Sequence, residues 1–172
     1  MDAALHDIFD ELGLTEQVFR ERGLVPFDDA GELSIVQVDA NGRVHELVLA
    51  ACAAWDAMKG AAATDGIDLI IVSAFRSIAR QAEIVRAKHL AGQGNDEIFS
   101  VSAPPGFSEH HTGRAIDISA PNEAVLEEEF EHSAAFSWLE QNASRFGFTM
   151  TYPRGNQYGF SYEPWHWCYQ GD

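Results

Sequence analysis

An α+β fold, with a mainly antiparallel sheet and flanking helices, is predicted by three features of the 172-residue sequence. Helical segments come before the strands and between them, a buried apolar run at 68–75 reads as a strand, and short strands finish the chain. Residues 2–12 form an amphipathic helical segment, which Gly13 ends. Thr15, Val18 and Phe19 begin a second short helix, stopped near Gly23. Residues 33–38 read as a strand and 39–42 as a turn. The Ala-rich stretch 44–63 carries Leu47, Ala51, Ala54, Trp55 and Met58 at helical spacing, so it is a helix with a buried stripe.

After the strand at 68–75, Ser77 caps a helix over 78–90, which the Gly92-Gln93-Gly94-Asn95 run breaks. Pro104, Pro105 and Gly106 make the next loop turn-rich. Ala115, Asp117 and Ser119 alternate with Ile116 and Ile118, which puts a small polar face opposite an apolar one on a strand. The acidic stretch 124–130 is expected to be helical, with Glu127, Glu128, Glu129 and Glu131 as a solvated face. Ser133 caps a helix to Phe146, Gly147 closes it, and 148–152, 158–163 and 165–169 are short strands.

Composition narrows the function. Eleven basic against 27 acidic side chains give a formal net charge of −16, which argues against nucleic acid or an anionic membrane as partner. Cys52 and Cys168 carry no metal spacing and read as free thiols. The acidic start of the sequence does not resemble a signal peptide, and no stretch is long enough to span a membrane, so a cytoplasmic location is expected.

The chemistry gathers in Ser108-Glu109-His110-His111-Thr112-Gly113-Arg114-Ala115-Ile116-Asp117 and in Glu163-Pro164-Trp165-His166. Two histidines and an aspartate from distant parts of the chain, His110, Asp117 and His166, make an N/N/O set that suits a catalytic zinc with a position open for water. Glu163, three residues before His166, can stand beside such a metal as a proton acceptor. Pro164 keeps Glu163 out of a helix, so this is not the helical H-E-x-x-H arrangement.

Ser108-x-His110-x-x-Gly113-x-Ala115-x-Asp117 followed by Glu163-x-x-His166 resembles the VanY-type D-alanyl-D-alanine carboxypeptidases, in the zinc peptidase group that includes lysostaphin and the hedgehog amino-terminal domain. Ser73-Ala74-Phe75-Arg76-Ser77 with Gln81 resembles their upstream element, where Gly-Tyr often stands for Ala74-Phe75. The resemblance implies a hedgehog/D-Ala-D-Ala-peptidase-like fold in one zinc carboxypeptidase domain over 1–172, with a helical part at 1–63 and a metallopeptidase core at 67–169. It also implies zinc on His110, Asp117 and His166, with Glu163 as base and Arg76 facing the oxyanion. Gln81 and Ser108 would hold the terminal alanine, and the substrate would be a peptidoglycan stem peptide or a fragment of one. Tyr152 and Tyr158 are candidates to line the groove. Members commonly have Arg two residues after the second histidine, where this chain has Cys168, an inert buried thiol or a redox-sensitive one.

Bland readings stand beside these. His6, His45, His89 and His132 have no partner in pattern and read as surface or satisfied histidines, and His111 falls outside the ligand register. A non-catalytic zinc-binding module has no need of Glu163, and an endopeptidase or amidase has no need of a carboxylate pocket at Arg76 and Gln81. Between cuts before a terminal D-alanine, the expected cytoplasmic location favours trimming recycled tetrapeptides, an L,D-carboxypeptidase, over D,D-activity on D-Ala-D-Ala.

Overall fold

The computed structural model describes residues 3–171. Two helices, α1 (Ala3–Leu12) and α2 (Glu16–Glu21), are followed by a two-stranded hairpin, β1 (Ser34–Val38) and β2 (Val44–Leu47), then α3 (Leu49–Thr64). Strand β3 (Ile70–Ser73) leads to α4 (Ile78–Leu90) and α5 (Asn95–Val101). The chain continues through β4 (Ala115–Ser119), α6 (Ala134–Asn142), β5 (Phe148–Met150) and β6 (His166–Tyr169). The four-stranded sheet runs β3-β4-β6-β5 and every pairing is antiparallel. This is the α+β architecture expected.

Strand β4 is buried along its whole length because it has a neighbour on each side and cover on both faces. Ile116 and Ile118 point into the larger core with Trp55, Met58, Leu69 and Leu139. Asp117 lies on the opposite face, directly across from Ser73 on one side and His166 on the other. A second core, rich in phenylalanine, joins Leu5, Phe9 and Leu12 of α1 to Phe19, Phe99 and Phe107. Phe9, Phe19 and Phe107 meet there with ring centroids about 6 Å apart.

The caps expected at Ser77 and Ser133 form: their hydroxyls accept from Arg80 N and Phe136 N. Three expectations are corrected. Residues 44–47 are not helical but the second strand of a hairpin across the 39–42 turn, so the 1–63 part is not wholly helical. The 124–130 stretch is a set of turns ending in a 3₁₀ segment, Glu128–His132. Leu126 adopts φ of 56° within it and Asn122, just before it, φ of 67°, which no helix can continue, and the adjacent glutamates repel. Segment 158–163 joins no sheet, because the Asn156 side chain takes the Tyr158 and Phe160 N–H groups and donates to Phe160 O. The break at Gly92–Gly94 is followed by the unexpected helix α5. Position 2 of the first expected helix lies outside the described residues.

Candidate metal centre

Three backbone elements bring three side chains to one point. His110 sits on a 3₁₀ turn, Glu109–Thr112, started by Ser108, whose Oγ accepts from His110 N, and closed by Gly113. Gly113 has φ of 64°, and a Cβ there would stand 2.8 Å from Leu33 Cδ2, so both conformation and space call for glycine. Asp117 and His166 are cross-strand partners on β4 and β6, so sheet register alone places them side by side. His110 Nε2 lies 3.3 Å from Asp117 Oδ2, and His166 Nδ1 lies 3.1 Å from Asp117 Oδ1. One ligand atom from each residue falls within 4.8 Å of the others, and all three residues are buried.

The far nitrogen of each imidazole is anchored. His110 Nδ1 bonds Ala74 O at 2.7 Å, and His166 Nε2 bonds Glu109 Oε2 at 2.9 Å. Each ring is thereby turned so that its remaining nitrogen faces Asp117, as histidines oriented for a metal are. The electrostatics agree. Burial alone would raise the Asp117 carboxyl, but the two histidines hold it well below the usual carboxylate range. Burial would lower His166, yet Asp117 and Glu109 push it up to about 10. The pocket therefore stabilises positive charge, and the N/N/O donor set fits a divalent zinc ion.

Glu163 stands on the turn into β6, with Oε2 4.0 Å from His166 Nδ1. Burial pushes its carboxyl up to about 7. Arg76, just past β3, donates from Nη1 to Gln81 Oε1 at 2.9 Å and from Nη2 to Ser73 Oγ at 3.1 Å, and Nη2 lies 3.9 Å from Asp117 Oδ2. Arg76, Ser108, His110, Asp117, Glu163 and His166 all border one cavity of about 520 Å³.

The expected site residues thus converge, with one change of place. Gln81 is 0% exposed and outside the cavity wall: its Oε1 holds Arg76 and its Nε2 donates to Ala103 O at 2.6 Å. Its side chain fixes the Arg76 guanidinium in place. Tyr152 borders the cavity, its ring 4.7 Å from that of His166, while Tyr158 stands outside that cavity, packed edge-on against Tyr152. His111 is sealed, accepting from Gly106 N through Nε2 and bonding Arg76 O through Nδ1. Glu109 is the residue that sequence reasoning missed. Its partner His166 is 57 residues away, and its only local signal is a carboxylate beside a ligand histidine. Cys168 lies next to Glu109 on the His166 face of β6, and burial followed by the Glu109 charge pushes its thiol up, which disfavours the thiolate.

A family model described as D-alanyl-D-alanine carboxypeptidase, VanY, matches residues 44–172. A D-alanyl-D-alanine carboxypeptidase of Enterococcus faecalis (strain ATCC 700802 / V583) is 35% identical over 121 residues, covering 64% of this chain and 43% of its own. YodJ of Bacillus subtilis (strain 168), provisionally named a carboxypeptidase, is 37% identical over 122 residues, 67% of this chain and 44% of its own. The chain spans less than half the length of these curated relatives. Among solved structures, the LdcB LD-carboxypeptidase superposes with a TM-score of 0.68 at 30% identity, covering 86% of this chain and 67% of that one. VanYB in complex with D-alanine-D-alanine gives 0.67 at 30%, covering 86% and 82%. A mutant of the vancomycin resistance D,D-pentapeptidase VanY in complex with Zn(II) gives 0.67 at 29%, covering 86% and 83%.

Proposed function

The chain belongs to the VanY family of D-alanyl-D-alanine carboxypeptidases, and from that premise we propose that it is a zinc-dependent carboxypeptidase of peptidoglycan stem peptides and their fragments. It hydrolyses the bond before a C-terminal D-alanine. The observation that carries this reading is the buried His110, Asp117 and His166 cluster with Glu163 4.0 Å from His166 and Arg76 3.9 Å from Asp117.

His110, Asp117 and His166 would hold the zinc, which would supply polarisation of the scissile carbonyl and acidification of water. The chain's residues do the rest. Glu163, with its carboxyl near 7, takes a proton from the attacking water and returns it to the leaving amine. Arg76, fixed by Gln81 and Ser73, presents fixed positive charge where the carbonyl oxygen becomes an oxyanion. Ser108 at the cavity wall and Arg76 meet the terminal carboxylate, with Gln81 acting through Arg76. Glu109 and Ala74 O hold the two imidazoles in register.

The first reading of the bond is the L,D cut, which the likeness to the LdcB LD-carboxypeptidase supports. The D,D cut is the second, favoured by the family description and by the Enterococcus faecalis relative. Mass spectrometry of tetrapeptide and pentapeptide stems after incubation with the zinc-loaded protein tests both. Release of D-alanine, faster from the tetrapeptide, is the expected result. Faster release from the pentapeptide selects the D,D cut, and no release from either rejects the carboxypeptidase reading.

A further inference from the structure

The cavity that holds the metal centre continues along one face of α4. Ile84 and Lys88, one turn apart and so stacked on the same side of the helix, both border it. The Lys88 ammonium donates to Ser102 Oγ at 2.8 Å, which ties the end of α4 to the residue that closes α5. Both side chains border the cavity and are half-buried. Among the described residues no acceptor takes the other two N–H bonds of Lys88, and Ser102, having accepted, still has its own proton to give. Burial and the Arg76 charge hold the Lys88 ammonium below the ordinary lysine range. A chain of net charge −16 thus places two cations, Arg76 and Lys88, in one cavity.

We propose that Lys88 and Ser102 form a second carboxylate subsite, which binds an anionic group of the substrate other than the one met by Arg76. This rests on the carboxypeptidase reading and deepens it. The site offers two donors, an ammonium and a hydroxyl, so a carboxylate can accept from both at once. Glu127 and Glu128 border the same cavity, so a polyanion meets repulsion there, while a head bearing one carboxylate and one ammonium does not. The substrate class is therefore a stem whose residue before the cut is a diamino dicarboxylic acid with a free side-chain carboxylate. The same chemistry is available from the terminal carboxylate of a peptide that runs one residue further.

The test compares two pairs of stems. One pair differs only in amidation of the side-chain carboxylate before the terminal D-alanine. The other is a stem extended by one D-alanine and its C-terminal amide. The wild type, Lys88→Gln and Lys88→Arg are compared by the acid-to-amide ratio of kcat/KM. In the first pair the ratio is expected to fall about tenfold or more in Lys88→Gln, through KM rather than kcat, and to be largely kept in Lys88→Arg. A fall in the second pair alone assigns the subsite to an extended terminus. Ratios unchanged by Lys88→Gln in both pairs, or equal losses on all four peptides, overturn the proposal. Calorimetric binding of the same four peptides to Glu163→Gln, with and without Lys88→Gln, reads the same ratios even if the wild type releases nothing. The two readings therefore fail separately.

Discussion

The two sides of the metal centre are held in different ways. Asp117 and His166 face each other across adjacent strands, and the sheet behind them packs on the core of Trp55, Met58 and Leu139. His110 comes instead from a short loop. That loop is clamped by the segment before β1, where Phe27 N donates to Gly106 O and Ala30 N donates to His111 O. Behind it, Phe107 packs on Phe9 and Phe19 of the first two helices. The family match begins at residue 44, so this clamp lies outside it, although it supports a residue of the family motif. Sheet register sets Asp117 and His166 side by side, and Glu109 of the loop then fixes the His166 ring. The loop that carries His110 is tied both from the segment before β1 and from inside the matched region, where Arg76 N donates to His110 O and Val48 N donates to Gly113 O.

The largest effects should separate the two sides. Trp55→Ala empties a buried site beneath the sheet and is expected to cost about 3–5 kcal/mol of stability in denaturant unfolding. Phe9→Ala, only 2% exposed in the wild type, is expected to cost about 3 kcal/mol and also to weaken zinc binding, because it loosens the loop that carries His110. Equal zinc affinity in Phe9→Ala and the wild type, measured by chelator competition, would remove the distinction between the two sides.

His111 sharpens the same contrast. It is buried and bonded to backbone through both nitrogens, and burial lowers it from 6.5 to about 4. The unfolded chain therefore binds a proton more readily than the folded one. The His111 contribution to stability is complete above pH 6.5 and is lost as pH falls towards 4, amounting to about 3 kcal/mol. Stability curves at pH 7 and pH 4.5 for the wild type and His111→Gln should converge at the lower pH. Parallel curves would contradict this.

Smaller effects concern the tie between the halves. Glu109 belongs to the loop but holds His166 of the sheet. Glu109→Gln should lower zinc affinity about 10–100-fold while leaving the fold intact, as loss of an orienting carboxylate does. Cys168→Ser should change neither zinc content nor turnover measurably, because the thiol is buried and burial disfavours its thiolate. Zinc loss in that variant would make Cys168 a ligand and the site a closed one.

What could be read in the chain beforehand follows the same division. The alternation around Asp117 and the serine caps are local signals, and the structure keeps them. The two motifs that resemble the family pattern point to His110, Asp117 and His166, which the structure brings within 4.8 Å of one another. Contacts between distant positions left no such trace. The Glu109–His166 bond spans 57 residues, and the burial of Gln81 behind Arg76 depends on Ala103 O. The 124–130 stretch has helical composition, yet left-handed Leu126 interrupts it. Short-range propensity lost there to turn geometry that only the folded chain imposes.

The most direct test of the central claim is zinc content and D-alanine release measured on the same preparation of Glu163→Gln. About one equivalent of zinc with turnover lower by about 10²–10⁴-fold is the predicted result, since the ligands remain and the proton carrier is gone. A variant that turns over at the wild-type rate, or that has lost its zinc, would contradict the division of roles between His110, Asp117 and His166 on one side and Glu163 on the other.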